Sequence, residues 1–235
     1  VLVGNGILSG RFLTIPERKN MKRIDPENWN GKVMFERFAD MDMPFFSMTT
    51  QLDASGLLER SKAENRSFFS LSLFAVSRAM NSVEAMRYRL LEDGQIVLYD
   101  TIDPVYVAMR DDGTITVVRV PFRPDIDTFE AVRREAENRV LSLPNATFDH
   151  GGGRNVFFLS VVPWFSFTGM SHPVMLGKRY DSIVRVTLGK YRREGGRIYM
   201  PLDVHCHHGF VDGYRLAEVF RAIGAFGQGG GNAGS

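Results

Sequence analysis

The stretch HCHHGFVDGYRLAEVF, residues 205–220, decides how the rest of the chain is interpreted. Three histidines within four positions precede an Asp-Gly pair, and apolar residues then recur at helical spacing from Leu216 to Ile223. This pattern predicts a strand that ends near His208, a turn, and a helix that begins near Asp212, because Asp is a preferred helix N-cap. Several titratable side chains therefore meet at one strand end.

Alternation along the predicted strand divides these side chains between two faces. Cys206 and His208 share the face of the apolar strand residues, whereas His205 and His207 share the opposite face. A metal site would use His205 and His207, but two imidazoles are insufficient and no third ligand has a recognisable spacing. A Cys206–His208 nucleophile pair is a second alternative, although a single cysteine beside a strand histidine more often packs in a core.

Two interpretations of His208 and Asp212 remain open from the residues alone. In the first, the strand ends in polar residues that merely cap the next helix. In the second, His208 is a half-buried neutral imidazole that acts as a general base. Asp212 would then organise the turn by accepting hydrogen bonds or by forming an ion pair. Since many turns contain these residues, the spacing HHxxxDG is weak evidence by itself.

The bulk composition restricts the classes of protein to consider. The chain has 235 residues, of which 44% are hydrophobic and 24% charged, and its net charge is +2. These values predict one large globular domain and exclude general disorder. No run of Lys or Arg exceeds two residues, so the sequence offers no nucleic-acid footprint, and no apolar stretch is long enough to span a membrane. The single Cys206 excludes an internal disulfide and predicts a cytoplasmic location.

The two ends of the chain differ from its middle. Residues 1–20 precede the first methionine, Met21, and are interpreted as an extension that is foreign to the domain. Residues 227–235 form a Gly-rich stretch that we expect to be flexible. A single domain is therefore predicted over residues 21–226.

The predicted secondary structure mixes strands and helices. Asp25 and Pro26 predict a helix start for 25–38, residues 46–58 suggest a strand followed by a turn, and a helix begins at Phe69. Two hairpins, 88–100 and 106–120, have two-residue turns at Asp-Gly pairs. A second long helix covers 129–143, and strands cover 155–164, 182–191 and 197–208. These elements predict an α+β fold with a mixed, largely antiparallel sheet flanked by helices.

Four stretches together resemble a known family. HHGFVDG (207–213) is similar to the HHxxxDG signature of CoA-dependent acyltransferases, and NVFFLSVVPWFSF (155–167) resembles the Ser-x-x-Pro-Trp strand of chloramphenicol acetyltransferases. TLGKY (187–191) followed by MPLDVHCHHGFVDG (200–213) has that family's order and spacing. The resemblance runs from about Met21 to Phe226 and implies a sandwich fold and a homotrimer with active sites between subunits.

The resemblance also implies roles for individual residues. His208 would take the proton from an acceptor hydroxyl that attacks acetyl-CoA directly, and Ser160 would hydrogen-bond the tetrahedral oxyanion. Thr187 would support the transition state through a water, and Asp212 would organise the turn. Lys190 and Tyr191 would lie near the CoA nucleotide, and Trp164 would lie beside the thiol-bearing arm. No cofactor is implied, because acetyl-CoA is a co-substrate.

The sequence departs from the family at two places. The family has an arginine two residues after its N-terminal tryptophan, paired with the motif aspartate, and this chain has Gly31. Asp212 would then pair with Lys32, with another arginine, or with backbone donors alone. On the acceptor side, Phe38 and Phe46 keep two aromatic positions, but the segment after Trp164 differs. Chloramphenicol is therefore the leading acceptor, and the alternatives are another small hydroxylated molecule or a non-catalytic trimer that binds a ligand.

Overall fold

The computed structural model describes residues 21–174 and 181–229. Its α-helices span Lys32–Ala39 (α1), Ser55–Ala63 (α2), Phe68–Ser82 (α3), Ile126–Leu141 (α4) and Gly213–Gly227 (α5). Its strands span Met21–Arg23 (β1), Phe45–Asp53 (β2), Tyr88–Leu90 (β3), Ile96–Tyr99 (β4), Asp103–Met109 (β5), Ile115–Arg119 (β6), Val156–Val162 (β7), Arg185–Gly189 (β8), Arg192–Glu194 (β9) and Arg197–His207 (β10). The predicted extension at 1–20 and residues 230–235 of the predicted tail lie outside the described residues.

A seven-stranded sheet is the framework of the domain. Its strand order is β2-β10-β8-β7-β5-β6, and β9 also pairs with β10. The pairs β5–β7 and β7–β8 are parallel and the others are antiparallel. A small antiparallel sheet of order β1-β4-β3 lies beside it. The predicted mixed, largely antiparallel sheet of an α+β fold is thereby confirmed.

The core lies between the large sheet and the helices α2 to α5. Leu202 and Val204 of β10 point into it beside Leu188 and Val186 of β8, their partners in register. Phe74 of α3 joins the same core. Because strand side chains alternate, the other face of β10 carries a different set of residues. We call this second face, which points away from α2 to α5, the outer face. None of the described helices is long and apolar enough to cross a lipid bilayer.

Side-chain caps mark the starts of the three longest helices. Ser67, Asp125 and Asp212 precede α3, α4 and α5, and each accepts a hydrogen bond from a backbone N–H in the first turn. Such a cap satisfies a donor that the helix itself leaves unpaired. The predicted helix start at Asp212 is confirmed.

Three local predictions are wrong. Residues 25–38 do not form one helix, since a short 3-10 helix at Pro26–Asn28 is separated from α1 by a turn. Residues 55–63 form α2, where the sequence suggested only a turn. The two hairpin loops have three residues each, and not the predicted two. The N–H of Leu91 donates to the carbonyl oxygen of Gln95, and that of Arg110 donates to the carbonyl oxygen of Thr114. The loop glycines, Gly94 and Gly113, have a positive φ. This is the common three-residue hairpin loop, in which a type I turn is followed by a residue with a left-handed backbone conformation.

Close packing between α2 and α5 depends on Gly56. A Cβ on Gly56 would lie 2.6 Å from the carbonyl oxygen of Gly227, which is backbone and cannot move away cheaply. We expect Gly56→Ala to lower the free energy of unfolding by about 2 kcal/mol, a common cost of overpacking. The matched control is Gly224→Ala in α5, where a Cβ meets nothing within 4 Å. That change should raise stability by up to about 1 kcal/mol, because Ala favours the helix. Urea unfolding at fixed protein concentration measures both, and equal midpoints would contradict the packing argument.

Candidate active site

The imidazole of His208 lies between two aromatic rings at the end of β10. The strand ends at His207, and the His208 N–H donates to the carbonyl oxygen of Pro44 at 2.7 Å. The ring stacks on Phe38 of α1, with centroids 3.9 Å apart, and its centroid is 4.5 Å from that of Phe46 of β2. The two predicted aromatic residues therefore contact the predicted base.

One hydrogen bond determines which nitrogen of His208 can accept a proton. Nδ1 is 3.0 Å from the carbonyl oxygen of Val211. A carbonyl oxygen only accepts hydrogen bonds, so Nδ1 must carry the hydrogen in the neutral ring. The lone pair of the neutral imidazole then belongs to Nε2. This tautomer is the one required of a base that removes a proton at Nε2.

Asp212 follows the turn that holds His208. Its Oδ1 accepts a hydrogen bond from the N–H of Arg215 at 2.8 Å and so caps α5. The capped helix start fixes the preceding residue, Val211, whose carbonyl oxygen bonds the His208 ring. Of the three pairings open from the sequence, the structure supports the backbone donor. Lys32 pairs instead with Glu27 at 2.7 Å.

The space beside Gly31, where a side chain would lie, is filled by the ring of Trp29. A Cβ on Gly31 would lie 2.2 Å from the indole of Trp29, so no larger residue fits unless that ring moves. The indole Nε1–H donates to the hydroxyl of Tyr88, which in turn donates to Glu84 at 2.6 Å. Trp29 therefore fills the space that a side chain at position 31 would need.

The two neighbouring histidines are buried on the outer face. His207 is 2% exposed, and its Nδ1 accepts the N–H of Gly209 at 3.0 Å, which stabilises the turn. His205 is 6% exposed and its Nδ1 is 2.9 Å from the hydroxyl of Ser47. Burial lowers the pKa of each imidazole from 6.5 to about 4, helped by Arg185 near His205 and by His208 near His207.

The alternative chemistries of this strand receive little support. Burial raises the pKa of the Cys206 thiol far above its usual range, which disfavours the thiolate that a nucleophile requires. Among residues 21–174 and 181–229, no three side chains of the types that bind metals are grouped to hold an ion.

Ser160 and Thr187 lie side by side, but far from His208 of the same chain. Ser160 of β7 is the partner of Thr187 in β8, which is the partner of Asp203 in β10. His208 lies five residues beyond Asp203, or about 16 Å along the strand, and two strands add roughly 10 Å across the sheet. A single chain therefore holds the predicted base and the predicted oxyanion donor about 19 Å apart.

Lys190 and Tyr191 line a cavity of about 340 Å³. Its walls also include Phe68 and Phe69 at the start of α3, and the rings of Phe68 and Tyr191 meet edge to face at 5.5 Å. Trp164, beside the cavity residue Pro163, is 63% exposed. The sequence argument missed the two phenylalanines, because the helical spacing of Phe69 is explained equally well by core packing. Apolar walls with one lysine suit a ligand that has a flat ring and an anionic group.

Comparisons with known proteins agree with this architecture. The family model described as chloramphenicol acetyltransferase matches residues 19–223. A chloramphenicol acetyltransferase of Staphylococcus aureus is 30% identical over 209 residues, covering 87% of this chain and 94% of that protein. Chloramphenicol acetyltransferase 2 of Escherichia coli is 27% identical over 209 residues, covering 87% of this chain and 95% of that protein.

Solved structures give the same result. A chloramphenicol acetyltransferase structure superposes with a TM-score of 0.80 at 31% identity, covering 88% of this chain and 99% of that one. A dihydrolipoamide acetyltransferase of Azotobacter vinelandii shares the fold alone, with a TM-score of 0.60 at 16% identity, covering 84% of this chain and 86% of that one.

The fold is therefore that of the CoA-dependent acyltransferases. Within this class, the chain belongs to the chloramphenicol acetyltransferase family, and by this membership it is an O-acetyltransferase.

Proposed function

We propose that this protein transfers the acetyl group of acetyl-CoA to a hydroxyl of a small acceptor, with chloramphenicol as the leading acceptor. The observation that carries the proposal is the geometry of His208. Its Nδ1 bonds the Val211 carbonyl oxygen, and its ring is held between Phe38 and Phe46. The free Nε2 is then available to an acceptor hydroxyl that lies against these rings.

The reaction proceeds in two steps without an acyl-enzyme. Nε2 of His208 takes the hydroxyl proton as the acceptor oxygen bonds to the thioester carbonyl carbon, which gives a tetrahedral oxyanion. Ser160 donates its hydroxyl hydrogen to this oxyanion, and a donor aimed at developing charge contributes about 3 kcal/mol. The carbon–sulfur bond then breaks, and the protonated His208 returns its proton to the leaving sulfur. The products are the acetyl ester and free CoA thiol.

The site requires a second copy of the chain. By strand geometry, Ser160 lies about 19 Å and Thr187 about 17 Å from His208 of the same chain. A direct transfer needs the base and the oxyanion donor within a few ångströms of one reacting carbon. We therefore infer that His208 of one subunit faces Ser160 of another, in a homotrimer with three equivalent sites. Such an assembly would bring the His208 half of a site on one chain next to the Ser160 half on another chain.

Acetyl-CoA would bind beside the Ser160 half. The cavity with Phe68, Phe69 and Tyr191 suits an adenine ring, and Lys190 suits a phosphate of the nucleotide. Trp164 follows β7 by two residues and would lie along the thiol-bearing arm. Since acetyl-CoA and a reduced Cys206 are both typical of the cytoplasm, we expect the enzyme to act there.

A thiol-release assay tests the proposal. Purified protein is mixed with acetyl-CoA, and free CoA thiol is followed with a chromogenic disulfide in the presence and absence of chloramphenicol. We expect thiol release that depends on chloramphenicol and a product that carries one acetyl ester by mass spectrometry. Equal thiol release without chloramphenicol would reject this acceptor. Other small hydroxylated molecules would then be tested as acceptors in the same assay.

A further inference from the structure

A buried serine near the start of α3 lines the cavity of about 340 Å³ described above. We call this space, which Lys190 and Tyr191 also line, the α3 cavity. Phe68 and Ser72, one helical turn apart on the same face of α3, belong to one wall, and Leu188 of β8 belongs to the wall that the sheet supplies. The α3 cavity therefore lies between the first turns of this helix and the sheet.

The hydroxyl of Ser72 has no hydrogen-bond partner within the described part of the chain, although the residue is only 2% exposed. A serine inside a helix commonly donates to a carbonyl oxygen of the preceding turn. Ser77 and Ser82 of α3 do so, at 2.7 Å to Leu73 and at 2.9 Å to Ala79. A buried hydroxyl without a partner has lost its water and gained nothing in exchange. A molecule bound in the α3 cavity would satisfy it.

The walls of the α3 cavity indicate which ligand would pair with Ser72. The rings of Phe68 and Tyr191, which meet edge to face at 5.5 Å, favour a flat ring over a flexible chain. Adenine is such a ring, and its ring nitrogens accept hydrogen bonds, so it can take the hydrogen of the Ser72 hydroxyl. The arm of CoA also has acceptor oxygens on its amides, but it has no flat face for the two rings. Adenine therefore fits both the aromatic walls and the donor.

We propose that Ser72 determines specificity for the nucleotide end of acetyl-CoA by donating its hydroxyl hydrogen to a ring nitrogen of adenine in the α3 cavity. The exposed Lys190 would then take a phosphate of the same nucleotide at the edge of the cavity. A flat ring without an acceptor nitrogen would leave the Ser72 hydroxyl unpaired and would bind less tightly. This inference rests on the proposed use of acetyl-CoA and adds one contact to it.

Ser72→Ala tests the contact, because it removes a single oxygen atom. For adenosine 3′,5′-bisphosphate, the nucleotide end of CoA, we expect the dissociation constant to rise about tenfold, the effect of an acceptor left unpaired in a buried place. The KM for acetyl-CoA should rise by a similar factor. The kcat and the KM for chloramphenicol should stay within about twofold, since Ser72 lies in the half of the site that binds the nucleotide.

The same variant separates binding from stability. Ser72→Ala should leave the urea midpoint constant or raise it, because alanine favours a helix interior and an unpaired buried hydroxyl is removed. A merely structural serine would give the opposite pair of results, a lower midpoint and an unchanged dissociation constant. Ser72→Cys keeps a side chain of similar size with a weaker donor, so its affinity for the bisphosphate should also fall. Wild-type affinity in Ser72→Cys would show that packing is responsible, and would overturn the hydrogen bond.

Ser70→Ala is the matched control. Ser70 lies in the same helix, is 1% exposed, and its hydroxyl also has no partner among the described residues, but it does not line the α3 cavity. This change should alter the urea midpoint as Ser72→Ala does and leave the dissociation constant of the bisphosphate unchanged. A similar loss of affinity in Ser70→Ala would show that the helix start as a whole, and not the Ser72 hydroxyl, affects binding.

Calorimetric titration with the two halves of acetyl-CoA, the bisphosphate and S-acetylpantetheine, completes the test. Weaker binding of the bisphosphate alone by Ser72→Ala is the expected result, and weaker binding of S-acetylpantetheine alone would overturn the adenine contact. Wild-type protein that acetylates chloramphenicol but does not bind the bisphosphate, or binds it as Ser72→Ala does, would reject the contact and leave the proposed function. Binding of the bisphosphate that depends on Ser72, without thiol release, would support the contact and reject acetyl transfer.

Discussion

Replacement of His208 by Ala is expected to lower the kcat for chloramphenicol acetylation by about 10²–10⁴-fold, the usual contribution of a general base. The KM for acetyl-CoA should change little, because the cavity with Lys190 and Tyr191 lies in the other half of the site. Steady-state thiol release with purified variant measures both constants. The effect is large because a neutral hydroxyl is a poor nucleophile until its proton is removed.

His208→Gln separates base chemistry from packing. Glutamine can donate its amide hydrogen to the Val211 carbonyl oxygen and can fill the space between Phe38 and Phe46. It cannot take a proton near neutral pH. We therefore expect the free energy of unfolding of His208→Gln to lie within about 1 kcal/mol of the wild-type value, and the variant to be as inactive as His208→Ala. Full activity in either variant would reject His208 as the base.

Mixed assemblies of two inactive variants test whether the site is shared. If His208 and Ser160 of one site come from different chains, His208→Ala and Ser160→Ala chains refolded together restore intact sites. With random assortment of equal amounts, about one quarter of the sites receive both native residues. Activity near that fraction is expected after refolding and none after simple mixing. Refolded mixtures that stay inactive would place both residues of a site in one chain.

The second large effect is a loss of stability as the pH falls from about 6.5 to about 4. Burial lowers the pKa of His205 and of His207 from 6.5 to about 4. Below pH 6.5 the unfolded chain therefore binds up to two protons that the native chain does not bind. Stability is complete above pH 6.5 and falls as these protons favour the unfolded state.

The expected slope is about 2.7 kcal/mol per pH unit once both imidazoles of the unfolded chain are protonated, since each proton contributes about 1.36 kcal/mol per unit. The loss ends near pH 4, where the native histidines also bind protons. Urea unfolding at pH 7.5, 6.5, 5.5 and 4.5, at one protein concentration, measures it. His205→Leu should remove half of the slope between pH 6 and 5. An unchanged slope in this variant would show that other groups cause the acid sensitivity.

The secondary structure could be predicted where local chemistry and tertiary packing agree. The helices α3, α4 and α5 follow from apolar spacing, and Asp212 was also predicted as the cap of α5. The caps Ser67 of α3 and Asp125 of α4 are known from the structure alone. Where the two disagree, the prediction failed. Residues 55–63 have a weak apolar pattern and form α2 because Leu57 packs into the core and Gly56 allows contact with α5.

The candidate site could be predicted in parts. The residues HHGFVDG and the strand with Ser160 were identified through their resemblance to the motifs of a known family. The partner of Asp212 was not, because Lys32 is adjacent to the family's arginine position but pairs with Glu27. Nor was the pairing of His172 with Asp203 predicted, since 31 positions separate them and residues 163–174 have no regular pattern.

The sequence by itself determined the long helices, the turn that presents His208 and, through the family resemblance, the class of chemistry. Periodicity, capping and motif spacing depend on residues within a few positions of each other, so they can be recognised from the sequence. Only the tertiary structure decided the tautomer of His208, the distance between His208 and Ser160, and the burial of His205 and Thr187. These properties depend on strand register and on contacts between distant residues, and no local pattern in the sequence specifies either.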